Sequence, residues 1–105
     1  MQVVFEVQML PDASLEASAV FARDYLADAI AMMEGGEANE LAVVLPPAGS
    51  EHDAWRRALA GDLARSLAPR RANVIATGDA PARDSLLTYL RNAPGVTGQY
   101  LAGHE

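Results

Sequence analysis

The sequence contains no lysine and no cysteine, and each absence excludes a class of proteins. Its eight basic residues are all arginines, against fourteen aspartates and glutamates, so the net charge is −6. Binding to nucleic acid or to an anionic membrane depends on clustered Lys and Arg, so this acidic balance argues against both kinds of partner. Five arginines do lie between Arg56 and Arg71, but they alternate with apolar helix positions, which is typical of a solvated helix face.

Without cysteine the chain can form neither a disulfide framework nor a thiolate metal site. The two histidines, His52 and His104, stand far apart in the sequence, so we expect no metal site. His104 lies close to the end of the sequence, and we expect it at the surface.

Long apolar runs are also missing. No run approaches the ~18 residues that a membrane-spanning helix needs, and the start MQVVFEVQML lacks the basic region of a secretory signal. We therefore expect a cytoplasmic protein. The 105 residues, half of them apolar, predict one globular domain over residues 1–105.

The clearest structural pattern lies between Glu40 and Gly78 and indicates a strand, a helix and a second strand. The run LAVVL (residues 41–45) is apolar and of strand length, which is typical of a strand buried on both faces of a parallel sheet. Ser50, with Asp53 three residues later, resembles a capping box that starts a helix over residues 50–68. Pro69 ends this helix region, and a strand over 71–77 follows.

The N-terminal segment adds a strand and a helix. Residues 2–9 are mainly β-branched and apolar and predict a strand, which would border the sheet as an exposed edge. Asp12 or Ser14 can cap a helix over residues 15–33, and Gly35-Gly36 stops it.

The C-terminal segment adds a further helix and strand. Asp79 can cap a third helix with Pro81 in its first turn, and a short strand over residues 99–102 closes the chain. This alternation predicts an α/β fold with about four parallel strands and three helices, in two or three layers, with right-handed crossovers.

The two long helices carry more apolar surface than a helix needs when it only covers a sheet. Apolar residues fill about half the circumference of the first helix, and leucines recur every fourth residue of the second, beside a row of alanines. The excess predicts a second packing partner, either the neighbouring helix or another chain. The candidate interface residues are Phe21, Tyr25, Met32, Trp55, Leu59, Ala60, Leu63, Ala64 and Leu67.

The segments LAGDLARSLAPRRANVIATG and SLLTYLRNAPGVTGQYLAG together resemble the C-terminal half of a short-chain dehydrogenase/reductase. The matching positions, in the family's order and spacing, are Leu63-Ala64-Arg65, Leu67-Ala68-Pro69, Arg71, Asn73, Gly78 and Val96-Thr97-Gly98-Gln99. The resemblance implies a truncated Rossmann-like half-domain. It also implies that the helices over 15–33 and 50–68 pack against their copies in a second subunit.

The chain departs from this family at the positions that carry its chemistry. The Gly-rich turn that binds the cofactor pyrophosphate is missing. The places of the family's Tyr-x-x-x-Lys pair fall on Ser50 and Ala54, and that of its catalytic Ser falls on Pro46-Pro47. We therefore expect no catalytic residue, no cofactor and no hydride transfer. Thr77 and Gly78 are the remaining candidates for contact with a cofactor.

Ser50-Glu51-His52-Asp53 contains a nucleophile, an imidazole and two carboxylates. Neighbouring residues on a helix point away from one another, whereas a triad needs them in contact. A Ser cap followed by acidic residues is the ordinary composition of a first helical turn.

Two hypotheses of function follow from the sequence. The first is a non-catalytic domain that acts by association through its two long helices, either as a homodimer or with a dehydrogenase-like partner. The alternative is a small-molecule or nucleotide binder, or a minor enzyme, that uses the cleft at the C-terminal ends of the strands. That cleft would lie near Pro47, Ser50, Thr77, Gly78 and Asp79, although four strands in one order predict no topological switch point.

Overall fold

The computed structural model describes residues 1–103, which form one parallel sheet and three helices. The strands are β1 (Gln2–Glu6), β2 (Glu40–Leu45), β3 (Arg71–Ala76) and β4 (Tyr100–Ala102). Helix α1 consists of Ser14–Val20, a π-helical turn Phe21–Tyr25 and Leu26–Ala31. Helix α2 begins with the 3₁₀ turn Ser50–His52 and continues as Asp53–Leu67, and α3 is Ala80–Arg91. His104 lies outside the described residues.

The strand order is β1-β2-β3-β4, and all neighbours are parallel. Val43 of β2 pairs with Phe5 of β1 and with Val74 of β3. Every residue of β2 is buried, as expected for a continuous apolar run at the centre of a parallel sheet. The α/β, Rossmann-like prediction is confirmed, and β1 lies at an edge of the sheet as predicted.

The helices cover both faces of the sheet, so the fold has three layers. Leu41, Val43 and Leu45 of β2 point to one face and pack with α1 and α2. The alternate residues Ala42 and Val44 point to the other face and pack with α3. Because successive side chains of a strand point to opposite faces, alternate residues of β2 belong to two separate hydrophobic cores.

The last crossover has the opposite hand to the first two. The chain steps across the sheet in one direction, but α1 and α2 lie on one face and α3 lies on the other. All three connections move to the next strand in the same direction, but the β3–α3–β4 connection passes over the other face of the sheet. Its handedness is therefore opposite to that of the first two. The expectation of uniformly right-handed crossovers is therefore wrong, although that rule holds for most βαβ units.

Strand β1 ends three residues earlier than predicted. Val7 still donates a backbone hydrogen bond to the carbonyl of Val44 (2.8 Å). Beyond this point the neighbouring strand reaches Pro46-Pro47, which has no N–H groups to continue a ladder. Residues 8–12 therefore leave the sheet and form a loop at its carboxyl edge.

The helix ends agree with the sequence only in part. The carboxylate of Asp79 accepts a hydrogen bond from the backbone N–H of Ala82 (3.1 Å), as predicted. Gly35 and Gly36 follow α1 with φ angles of 98° and 85°, which other residues rarely adopt.

The two other predicted caps are wrong. Ala13, not Asp12 or Ser14, is the cap residue of α1. The predicted capping box is absent because Ser50 opens a 3₁₀ turn whose cap position is Gly49, and no side chain in the described part of the chain caps it.

Half-buried Arg71 and fully buried Asn73 position the C-terminal part of the fold. Arg71, next to the buried carboxylate of Glu40 (3.4 Å), donates from Nη1 to the carbonyls of Leu90 and Ala93 at the end of α3 (2.9 Å each). Asn73, fully buried, donates to the carbonyl of Val96 and accepts from the backbone N–H of Gln99 (3.0 Å each). These contacts fix α3 and lead the chain into β4.

Candidate functional site at the carboxyl edge of the sheet

A crevice opens between the carboxyl ends of β2 and β3. After β2 the chain turns to the α2 face, and after β3 it turns to the α3 face. Adjacent strands whose loops leave to opposite faces form a topological switch point, where open α/β sheets bind ligands. The sequence-based expectation that no switch point exists is wrong, because it assumed that all helices follow the same hand.

The crevice has a volume of about 360 Å³ and contains four of the five residues predicted for it, Pro47, Thr77, Gly78 and Asp79. Ser50 does not line it. The Thr77 hydroxyl accepts a hydrogen bond from the backbone N–H of Asp79 (3.1 Å), so its polar atom is engaged in the turn before α3. At the far wall, Arg83 is paired with the carboxylate of Glu6 (3.3 Å).

The positions that match the family's catalytic pair point to solvent. Ser50 and Ala54 are both exposed, on the first turns of α2. Neither side chain can replace a phenol whose pKa is lowered by an adjacent ammonium group. The turn after β2, where the family has its Ser, consists of Pro46 and Pro47.

His52 is buried, and both of its ring nitrogens have partners. Nε2 lies 2.9 Å from the carbonyl oxygen of Asp12, and Nδ1 accepts from the indole Nε1 of Trp55 (3.1 Å). Since an indole only donates and a carbonyl only accepts, these partners select the Nε2–H tautomer. No ring nitrogen is left for the hydroxyl of Ser50, so the SEHD segment does not form a triad.

Arg56 is the largest fully buried side chain among the described residues, with 1% of its surface exposed. Nη1 donates to the carbonyl of Pro46 (2.9 Å) and to the hydroxyl of Tyr100 (3.2 Å), while Nε is buried and has no partner among residues 1–103. The guanidinium carbon lies 5.3 Å from the centre of the Trp55 ring and 5.9 Å from that of Tyr100. Within residues 1–103 no carboxylate pairs with Arg56.

Sequence reasoning missed the roles of His52 and Arg56. It placed the arginines of α2 on a solvated face and followed the row Trp55, Leu59, Leu63. The buried row of α2 contains instead His52, Arg56, Ala60, Leu63 and Leu67. Arg56 lies four residues before Ala60, and Leu63 and Leu67 follow at steps of three and four residues. This spacing places all four on one side of a helix, and it was the signal in the sequence that could have predicted the burial of Arg56.

The predicted interface residues fall into two groups. Phe21, Ala60, Leu63 and Leu67 are buried in the chain's own core, against the sheet, and offer no surface to another chain. Tyr25, Trp55, Leu59 and Ala64 are half-buried, and Met32 is 43% exposed.

The outer surface between α1 and α2 contains a shallow, mainly apolar groove of about 240 Å³. Exposed Ala22 and Ala58 form its rim, and Trp55 and Leu59 lie in its wall. Beside it, Arg23 and Asp24 form an exposed pair in which the hydrogen bond lowers the pKa of the Asp24 carboxyl. We call this surface the α1–α2 groove.

No group of three or more metal-ligating side chains occurs within residues 1–103. No helix in the same range is long and apolar enough to cross a membrane.

Comparison with known proteins identifies the family. The family described as short chain dehydrogenase-like protein (SDR-like) matches residues 5–103, which is nearly the whole chain. Searches of curated proteins and of solved structures find no match. The chain therefore belongs to the SDR-like family.

Proposed function

We propose that this SDR-like domain is non-catalytic and associates with a second copy of itself through the outer side of α2 and the adjoining α1–α2 groove. The observation that carries the proposal is an apolar groove on the outer side of two helices whose sheet-facing residues are already buried. The missing Tyr-Lys pair and Gly-rich turn support the non-catalytic part of the proposal.

The centre of α2 suits close contact with another helix. Ala54 and Ala58 are exposed on its outer side, and half-buried Gly61 follows them next to Gly98 of the same chain. Small residues allow two backbones to approach closely. An antiparallel arrangement centred between Ala58 and Gly61 would bring these small residues together. A two-fold axis at this position would make the interface isologous.

The charged residues of α2 are also complementary to those of α2 in a second copy of the chain. In that antiparallel arrangement, Arg57 of one chain lies at the same level along the helix axis as Asp62 of the other. Asp53 similarly lies near the level of Arg65. Exposed ion pairs contribute little affinity, but complementary charges fix the register of an interface. The large exposed side chains of Leu15, in α1, and of Met32, directly after α1, add apolar area at the ends of the interface.

Light scattering on the purified chain at micromolar concentration tests the proposal. We expect a particle of twice the chain mass of 11.1 kDa. Ala58→Glu introduces a charge at the centre of the interface without touching the core, since Ala58 is exposed. This variant should be monomeric while keeping the circular dichroism spectrum of the wild type.

The matched control is Ser85→Glu, which places the same charge at an exposed position of α3, on the other face of the sheet. It should remain dimeric. A wild-type chain that stays monomeric over the whole concentration range would overturn self-association and leave association with another SDR-like chain as the remaining form of the hypothesis.

The switch-point crevice favours binding of a small molecule as a second candidate function. It lies at the place where ligands bind in open α/β sheets, and its lining includes the backbone of the Thr77–Asp79 turn. A thermal-shift screen against nucleotides and acyl thioesters would test it, because a ligand at a hundredfold excess over Kd stabilises by about 2.7 kcal/mol. Absence of any response would rule against this candidate.

A further inference from the structure

We infer that Arg56 forms the anion-binding end of a pocket for a small, apolar monocarboxylate. The pocket is a cleft of about 410 Å³ between the loop after β1 and the start of α2, and Arg56 lines it. It adjoins the switch-point crevice through Gln8, Pro46 and Pro47. The inference rests neither on self-association nor on a ligand in that crevice.

Arg56 carries a charge that no carboxylate within residues 1–103 neutralises. Removing a guanidinium from water is costly unless hydrogen bonds and an opposite charge compensate for it. Here the protein supplies two oxygen acceptors, both to Nη1, and two aromatic rings. A counter-charge is missing among the described residues, and Nε has no acceptor.

The N–H groups of Arg56 that have no acceptor among residues 1–103 lie on one edge of the guanidinium. Because the protein's acceptors bind only Nη1, the edge formed by Nε and Nη2 makes no hydrogen bond within residues 1–103. This edge presents two parallel N–H groups, the geometry that a carboxylate binds with both oxygens. An anion that reaches it would satisfy both the buried charge and the unpaired Nε.

The start of α2 borders the same cleft. No side chain of the described residues caps this helix, so its first backbone N–H groups carry partial positive charge. The carboxylate of Glu51 folds back against Gly49, into the space that a Cβ atom at residue 49 would fill. A carboxylate therefore already lies at the mouth of the cleft, and it competes with a ligand for this position.

The lining selects the class of anion. Leu10, Pro11 and Pro47 give one part of the cleft apolar walls, beside the polar side chains of Gln8 and His52, and Met9 is 80% exposed at its rim. Asp12 and Glu51 lie at the opening, where they repel polyanions. A single carboxylate on an apolar body therefore fits better than a phosphate or a nucleotide.

Titration of the full chain with benzoate tests the inference, with benzamide as the uncharged probe of the same shape. Binding is followed by the ¹H–¹⁵N resonance of the Arg56 side-chain Nε, assigned by its disappearance in Arg56→Lys. We expect this resonance to shift with benzoate at millimolar concentration, to stay in place with benzamide, and to respond more weakly to inorganic phosphate.

Two variants make the test quantitative. Glu51→Gln should tighten benzoate binding about threefold, because it removes a competing charge near the site. Glu34→Gln, at an exposed position before Gly35, is the matched control and should leave binding unchanged. Arg56→Gln should weaken binding at least about tenfold, in line with the loss of a charge-assisted hydrogen bond.

An unmoved Nε resonance, or equal responses to benzoate and benzamide, would overturn the inference. If Arg56→Gln does not fold, the wild-type resonance and the Glu51→Gln comparison still decide it. Tighter binding of phosphate than of benzoate would likewise contradict the proposed ligand class.

Discussion

The indole nitrogen of Trp55 lies 3.1 Å from Nδ1 of His52, and the opposite nitrogen of the same imidazole lies 2.9 Å from the carbonyl of Asp12. One buried ring thus connects the loop after β1 with two turns of α2. This connection holds the walls of the cleft that Arg56 lines. His52 belongs to the segment Ser50–Asp53, whose residue types resemble those of a catalytic triad, but in this fold its role is structural.

His52→Ala should lower the free energy of unfolding by about 2–3 kcal/mol, because it removes two hydrogen bonds and leaves a cavity. Urea unfolding measures the change. Trp55→Phe removes the indole donor, and a double-mutant cycle should give a coupling energy of about 1 kcal/mol between the two positions. Additive effects would show that the Trp55–His52 hydrogen bond contributes nothing.

Two predicted helix caps should behave differently on substitution. Asp79→Ala should cost about 1 kcal/mol of stability, since its carboxylate accepts from the N–H of Ala82. Ser50→Ala should change stability by less than about 0.5 kcal/mol, because its exposed side chain caps nothing. Stability is measured by thermal or urea unfolding. Equal losses of stability in the two variants would contradict this account and show that Ser50 caps α2.

Asn73 controls the attachment of β4. Asn73→Ala should destabilise the fold by about 2–3 kcal/mol, since it leaves the buried partners at Val96 and Gln99 unpaired. Amide exchange in residues 100–102 should then accelerate. Gln99→Ala is the control, because the hydrogen bond uses the backbone N–H of residue 99 and survives the substitution. Unchanged exchange in Asn73→Ala would contradict this role.

Much of the fold could be predicted because its strands carry strong local signals. The run LAVVL became the buried strand β2, and the segment after Pro69 became β3. The caps were predicted less well, since Ser50 matches a sequence pattern whose geometry depends on the preceding turn. The face occupied by α3 could not be predicted, because only tertiary packing decides which side of the sheet a short helix covers.

The site was harder to predict than the fold. Thr77, Gly78 and Asp79 were placed correctly at the carboxyl edge, because strand ends in a parallel sheet meet there. Arg56 was assigned to the solvent because the arginines of α2 alternate with apolar helix positions, which is typical of a solvated helix face. Its burial becomes understandable only with Tyr100, which is distant in sequence and comes close through β4.

The central claim, self-association through the centre of α2, can be tested directly by cross-linking, because the natural chain has no cysteine. Ala58→Cys places a single thiol near the proposed two-fold axis, where two copies would approach within the ~7 Å between Cα atoms that a disulfide requires. Ser85→Cys on α3 is the control. On mild oxidation, we predict that Ala58→Cys converts rapidly to a covalent dimer and Ser85→Cys does not; equal, slow cross-linking of both variants would contradict the account.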